Sequence, residues 1–108
     1  MNLHLNIGKS ILQDLYDYSC KKSLDDAEYI PIVRIVIEGI VKTMAAENFN
    51  KKDIQGIEKD LKEFNRDFYV NEWLNNAKED EGDIDVEEET ELARYYFDYI
   101  YEHGEHPH

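Results

Sequence analysis

The chain has 108 residues, enough for one small domain, and its 25 acidic and 12 basic residues give a formal net charge of −13. A field of that sign repels nucleic acid at a distance, and it suits a basic protein partner or mimicry of a phosphate backbone. Eight tyrosines, four phenylalanines and one tryptophan exclude an acidic chain that is disordered throughout.

The charge is divided unevenly along the chain. Residues 1–45 contain five basic and six acidic residues, whereas residues 46–108 contain seven basic and nineteen acidic residues. This split predicts two different roles for the two parts. Cys20 is the single cysteine, so an intrachain disulfide is impossible, and we expect it to be buried as a small hydrophobic residue. We find no signal peptide or membrane-spanning run and expect a cytoplasmic protein with no membrane partner.

Residues 2–7 alternate strictly between polar and apolar side chains. That period of two predicts a short, half-buried strand. Because a lone terminal strand leaves its backbone groups unpaired, we expect it to pair with the same strand of a second chain in a homodimer. The alternative is the start of a long helix, since Leu3, Ile7, Ile11 and Leu15 recur at four-residue spacing.

Two helices are predicted after the strand, over about residues 8–22 and 32–47, joined by a polar link that ends at Pro31. The second helix is apolar on most of its circumference and should be buried on several sides. Its polar edge consists of Arg34, Glu38 and Lys42, at four-residue spacing.

A short polar-faced strand followed by two helices resembles the ribbon-helix-helix DNA-binding family, which includes Arc-like and plasmid copy-control repressors and many antitoxins. The first-helix core pattern of that family is matched by Ile11, Leu12 and Leu15. The resemblance implies that Asn2, His4 and Asn6 read base edges in the major groove. It also implies that Lys9 contacts a phosphate.

The remaining sequence predicts two further helices, over about residues 51–75 and 87–102. Asn50 is a suitable N-cap for the first, and Gly104 is a suitable stop for the second. Between them lies an acidic segment. Residues 77–88 resemble a twelve-residue calcium loop with Gly82 at position six, but Ala77 stands where the first carboxylate belongs. The alternative is a solvated acidic connection.

Aromatic residues of the acidic part are candidates for partner binding. Tyrosine and tryptophan are common interface anchors, so we assign Trp73, Tyr95 and Tyr99 to a partner-binding surface. The alternative is that the tyrosines belong to the core with their hydroxyls reaching water. The histidines near the end lack the companions of a zinc site, and no catalytic motif is evident. We therefore expect no metal, no cofactor and no enzymatic activity.

Together these patterns predict a mainly α fold in two parts. Residues 1–47 would form a ribbon-helix-helix domain with an intermolecular β-ribbon and two helices, and residues 48–108 an acidic two-helix extension. The leading hypothesis is an antitoxin-like transcriptional repressor that is homodimeric, binds DNA, and binds a basic protein through residues 46–108. The alternative is an acidic all-helical inhibitor or DNA mimic, of the phage anti-defence or immunity type, that blocks a basic nucleic-acid-binding protein.

Overall fold

The computed structural model describes residues 3–107, which form four α-helices connected by short turns. The helices are α1 (Leu3–Lys22), α2 (Asp26–Ala46), α3 (Lys51–Glu81) and α4 (Val86–His103). Helices α2 and α3 pack together at the centre, and α1 and α4 each pack against both of them. Within residues 3–107, α1 and α4 do not pack against each other. None of the four helices is long and apolar enough to cross a membrane.

The predicted β-ribbon is wrong, because residues 3–7 form the first turns of α1 and the described residues contain no strand. The four-residue spacing from Leu3 to Leu15 thus indicated the correct structure. A helix pairs its backbone groups within its own segment, whereas a terminal strand needs a second chain to do so. Leu5 packs against the core, while Leu3 and Ile7 are exposed. Asn2 lies outside the described residues.

Helix α2 begins six residues earlier than predicted, with Pro31 in its second turn. The Asp25 side chain caps the helix by accepting a hydrogen bond from the Ala27 backbone N–H at 3.2 Å. An interior proline removes one backbone hydrogen bond. That loss is offset by the cap and by burial of Tyr29 and Ile30, the two residues before Pro31.

Helix α3 continues to Glu81 and leaves only residues 82–85 between it and α4. Its predicted N-cap is confirmed, since the Asn50 side chain accepts a hydrogen bond from the Lys52 backbone N–H at 2.7 Å. Gly104, with a φ of 76°, ends α4 as predicted. The calcium loop considered for residues 77–88 does not form, because residues 77–81 are helical. Among the described residues, no group of three or more histidines, cysteines or carboxylates is placed to hold a metal ion.

One hydrophobic core receives side chains from all four helices. The largest fully buried apolar side chains are Leu12, Ile30, Ile37, Met44, Leu61, Phe97 and Ile100. Helix α1 approaches closely at Gly8, where a β-carbon would lie 2.7 Å from the Leu61 side chain. The predicted boundary at residue 47 falls in the turn between α2 and α3, and helices from both sides of it share this core.

Candidate functional site

Of the residues assigned to DNA, His4, Asn6 and Lys9 lie in the first two turns of α1. His4 is within 3.4 Å of a Glu47 carboxylate oxygen, and its ring meets Phe49 edge-on at 4.9 Å between centroids. Asn6 is exposed, and the Lys9 ammonium lies 5.4 Å from the centre of the Phe64 ring. Residues two apart on a helix do not share a face, so the alternating base-reading face depended on the strand. DNA contact by these residues stays a prediction.

A cavity of about 320 Å³ lies where the α1–α2 turn meets α3. Three tyrosine rings and two carboxylates contribute to its walls: Tyr16, Tyr29, Tyr69, Asp26 and Glu72. Helix α1 supplies Tyr16, whose hydroxyl donates a hydrogen bond to Glu72 at 3.3 Å. Helix α2 supplies Tyr29, whose hydroxyl donates to the buried Asn65 side chain at 2.7 Å. The aromatic walls are therefore held by contacts between helices.

Two further cavities adjoin the first along the second half of α3. The first of them shares Asp26, Tyr69 and Glu72 with the tyrosine-lined cavity and adds Trp73 and Asn76. The next shares Trp73 and Asn76 and reaches the start of α4. We call these three cavities the acidic trough. Its carboxylates are Asp26, Glu72, Asp80, Glu81 and Glu89.

Within residues 3–107, the acidic trough has carboxylates but no basic side chain in its walls, and His106 pairs with Asp25 beside it at 3.1 Å. Among the described residues, no lysine, arginine or histidine lines any of its three cavities. Burial raises the pKa of Asp26 above its usual value, and the charges of Asp25 and Glu72 raise it further. Tyrosine hydroxyls are protonated at neutral pH, and burial raises the pKa values of the Tyr16, Tyr29 and Tyr69 hydroxyls further. The trough thus presents carboxylates and neutral phenols to a ligand.

The basic side chains near α4 belong to the first half of α3 and to α2, and they bind groups of α4. Lys62 and Arg66 both pair with Asp98, at 3.4 and 3.2 Å. Arg34 donates hydrogen bonds to the backbone carbonyls of Tyr101 and Glu102 near the end of α4. These three basic side chains are engaged by α4, and none of them lines the trough.

No protein family, curated protein or solved structure matches this chain. Its function is therefore inferred from the chemistry of its surfaces.

The predicted partner-binding aromatics fall into two environments. Trp73 lines the trough, donates a hydrogen bond to Glu89 at 2.7 Å and stacks on Tyr96 at 5.2 Å between centroids. Tyr95 is 56% exposed and lies beside Tyr96 and Tyr99 on the outer side of α4. The structure thus places Trp73 in the trough and Tyr95 on the surface next to the Tyr96 ring that Trp73 stacks on.

Sequence reasoning missed the tyrosine-lined cavity. Its residues come from α1, the first turn of α2 and the middle of α3, and no local pattern joins them. Cys20, expected to be buried, is exposed and lines the same cavity. The one available signal was the group of acidic residues at the start of α2, which the ribbon-helix-helix resemblance did not account for.

A second surface of a different kind lies between α1 and α2. It is a groove of about 670 Å³ whose walls are mostly aliphatic. Its lining residues include Leu3, Ile7, Ile11, Val36, Gly39, Ile40 and Thr43, with His4 and Glu47 at one end. We call it the apolar groove. Leu3, Ile7 and Ile11 are 66%, 47% and 42% exposed, an unusual degree of exposure for three aliphatic residues on one stripe.

Proposed function

We propose that the protein is a binding protein that captures a basic segment of a partner protein in the acidic trough. The observation that supports this most directly is the set of five trough carboxylates with aromatic side chains and no lining basic residue among those described. Carboxylates attract the charge of a basic segment, and aromatic faces hold its cationic groups by cation–π contact. A basic segment held in this way is unavailable to phosphates, as expected of an inhibitor of a nucleic-acid-binding protein.

The length of the trough fits a short extended peptide. From Tyr69 to Glu81, α3 rises by about 18 Å at 1.5 Å per residue. An extended chain advances about 3.3 Å per residue, so five or six residues of a partner span that distance. Side chains on one edge of such a segment would reach successive carboxylates along α3.

Arginine suits the tyrosine-lined cavity better than lysine. A guanidinium group is planar, donates in two directions and stacks on aromatic rings, whereas an ammonium group is a compact and strongly hydrated point charge. The cavity offers Asp26 and Glu72 as acceptors and three tyrosine rings as walls. Its volume of about 320 Å³ also leaves room for the methylene stem of the side chain.

The test is a titration of the full chain with hexa-arginine and hexa-lysine peptides. Trp73 is the single tryptophan and lines the trough, so its fluorescence reports binding there. We expect the double variant Asp26→Asn, Glu72→Gln to bind hexa-arginine at least about tenfold more weakly. We also expect hexa-lysine to bind the unmodified chain more weakly than hexa-arginine.

The matched control removes the same charge elsewhere on the chain. Asp60 and Asp67 are exposed on α3 and line none of the trough cavities. The double variant Asp60→Asn, Asp67→Asn should stay within about twofold of the unmodified chain, because exposed charges contribute little to a local contact. Equal losses in both double variants would show attraction by overall charge alone, and absence of peptide binding would overturn the proposal.

A further inference from the structure

Gly39 has no explanation in the packing of the single chain. It lies in the interior of α2, where glycine is less favourable than alanine by about 1 kcal/mol. A β-carbon at Gly39 would meet no other atom within 4 Å, whereas one at Gly8 would collide with Leu61. The fold therefore packs tightly against Gly8 but not against Gly39. Gly39 lines the apolar groove, so its missing side chain leaves the α2 backbone open to an approaching surface.

The α1 wall of the apolar groove supplies side chains whose shape complements the depression at Gly39. Leu3, Ile7 and Ile11 project from one stripe of α1 and are all exposed. On α2, Ile35, one helical turn before Gly39, is also 66% exposed. A row of projecting aliphatic side chains next to a glycine-lined depression is self-complementary. Two copies related by a two-fold axis can each insert the row into the other's depression.

Charge gives a basic partner no attraction to the apolar groove, and it opposes a second copy less there than at any acidic face. The one charged side chain among the groove's described lining residues is Glu47, and it lies 3.4 Å from His4. A basic partner is attracted to the carboxylates of the trough. An equally acidic chain, with a net charge of −13, is repelled except where a face is nearly neutral. The apolar groove is such a face.

We propose that two copies of the chain associate through the apolar groove, with Gly39 of each admitting the Leu3–Ile11 stripe of the other. The groove extends about 16 Å along the α2 side from Val36 to Glu47 and is about two helix widths across. That area, about 300 to 350 Å² on each copy, is well below the roughly 800 Å² per partner of a stable specific interface and suits a weak, transient contact. We therefore expect a reversible dimer with a dissociation constant in the micromolar range or above.

The test is sedimentation equilibrium of the full chain at low and high protein concentration, with two matched substitutions. Gly39→Leu fills the depression, and we expect it to raise the dissociation constant at least about tenfold. Gly56→Leu is the control, because Gly56 is also an exposed helix-interior glycine whose β-carbon would meet nothing within 4 Å. It should leave the dissociation constant within about twofold. Both variants should match or exceed the unmodified chain in thermal stability.

A second variant guards against an unexpected mode of packing around the introduced leucine side chain. Ile7→Glu places a charge on the exposed stripe and should also favour the monomer, with the helical circular dichroism spectrum unchanged. Concentration-dependent association that both Gly39→Leu and Ile7→Glu weaken would support the proposal. A chain that stays monomeric at several hundred micromolar, or equal effects of the two glycine substitutions, would overturn it.

Discussion

Asp26 is a carboxylate held where its charge is unfavourable. Burial and the charges of Asp25 and Glu72 raise its pKa in the folded chain. The folded state therefore binds this proton more tightly than the unfolded state does. The unfavourable contribution is fully present above the raised pKa, and it disappears as the pH falls below it.

Removing this charge should stabilise the fold while it weakens the trough. We expect Asp26→Asn to raise the melting temperature at pH 7 by a few degrees, equivalent to at most about 1 kcal/mol. The gain should shrink as the pH is lowered through the range in which Asp26 is protonated in the unmodified chain. Thermal melts followed by circular dichroism at several pH values measure both effects.

The neighbouring carboxylate is the control for this substitution. The pKa of Asp25 is lowered, chiefly by its hydrogen bond with His106, so its favourable contribution is lost as the pH falls through that lowered value. Asp25→Asn keeps an N-capping oxygen but removes the charge. It should not raise the melting temperature. A decrease for Asp26→Asn at pH 7, or a gain that does not vary with pH, would contradict the assignment.

At the scale of the helices, a helix end that depends on a capping side chain or a glycine could be predicted from the sequence. Asn50 and Gly104 act as the cap and the stop that their side-chain chemistry indicates. The first turns of α1 could not be predicted, because Leu3 and Ile7 fit both a period of two and the four-residue spacing of a helix. The start of α2 was placed too late, because Pro31 was expected to end the polar link before the helix and instead lies in its second turn.

A pair of substitutions distinguishes helix from strand at the start of α1. In a strand, Leu3 and Leu5 would share one buried face, whereas in α1 Leu5 packs against the core and Leu3 is 66% exposed. We expect Leu5→Asp to destabilise the fold by about 2 kcal/mol or more, because it places a charge against apolar side chains. Leu3→Asp should cost less than about 0.5 kcal/mol.

The measurement is urea denaturation at a protein concentration low enough to keep the chain monomeric. Under that condition the loss of a contact between copies does not enter the comparison. Similar large losses for both substitutions would indicate a shared buried face and would contradict the helical assignment of these residues.

The acidic trough shows where prediction from the sequence ends. Trp73 was chosen because tryptophan is a common interface anchor, and it does line the trough. Tyr16, Asp26 and Glu72 were not chosen, because they lie on three helices and only the packing of α1 and α2 against α3 brings them together. The apolar groove was missed for a related reason. Ile11 fits a core pattern in the sequence but is 42% exposed in the fold.

For the whole molecule, the distribution of charge separates two surfaces with opposite requirements. The trough concentrates carboxylates along the second half of α3, whereas the apolar groove between α1 and α2 is nearly neutral. Binding at the trough joins opposite charges. Association at the groove brings together two chains that each carry a net charge of −13. Dissolved salt screens both interactions over about 10 Å at 0.1 M.

Salt should therefore shift the two equilibria in opposite directions. Between about 20 mM and 300 mM NaCl we expect hexa-arginine binding to weaken, because screening reduces the attraction between opposite charges. Self-association should tighten over the same range, because screening reduces the repulsion between two acidic copies. Titration and sedimentation equilibrium on the same samples measure the two dissociation constants.

The Asp60→Asn, Asp67→Asn variant separates the effects of salt and of net charge. Its lower overall charge should tighten the dimer, while its trough stays intact. Weakening of both equilibria with salt would show that charge attraction also drives the contact between copies, contrary to an aliphatic interface at the groove.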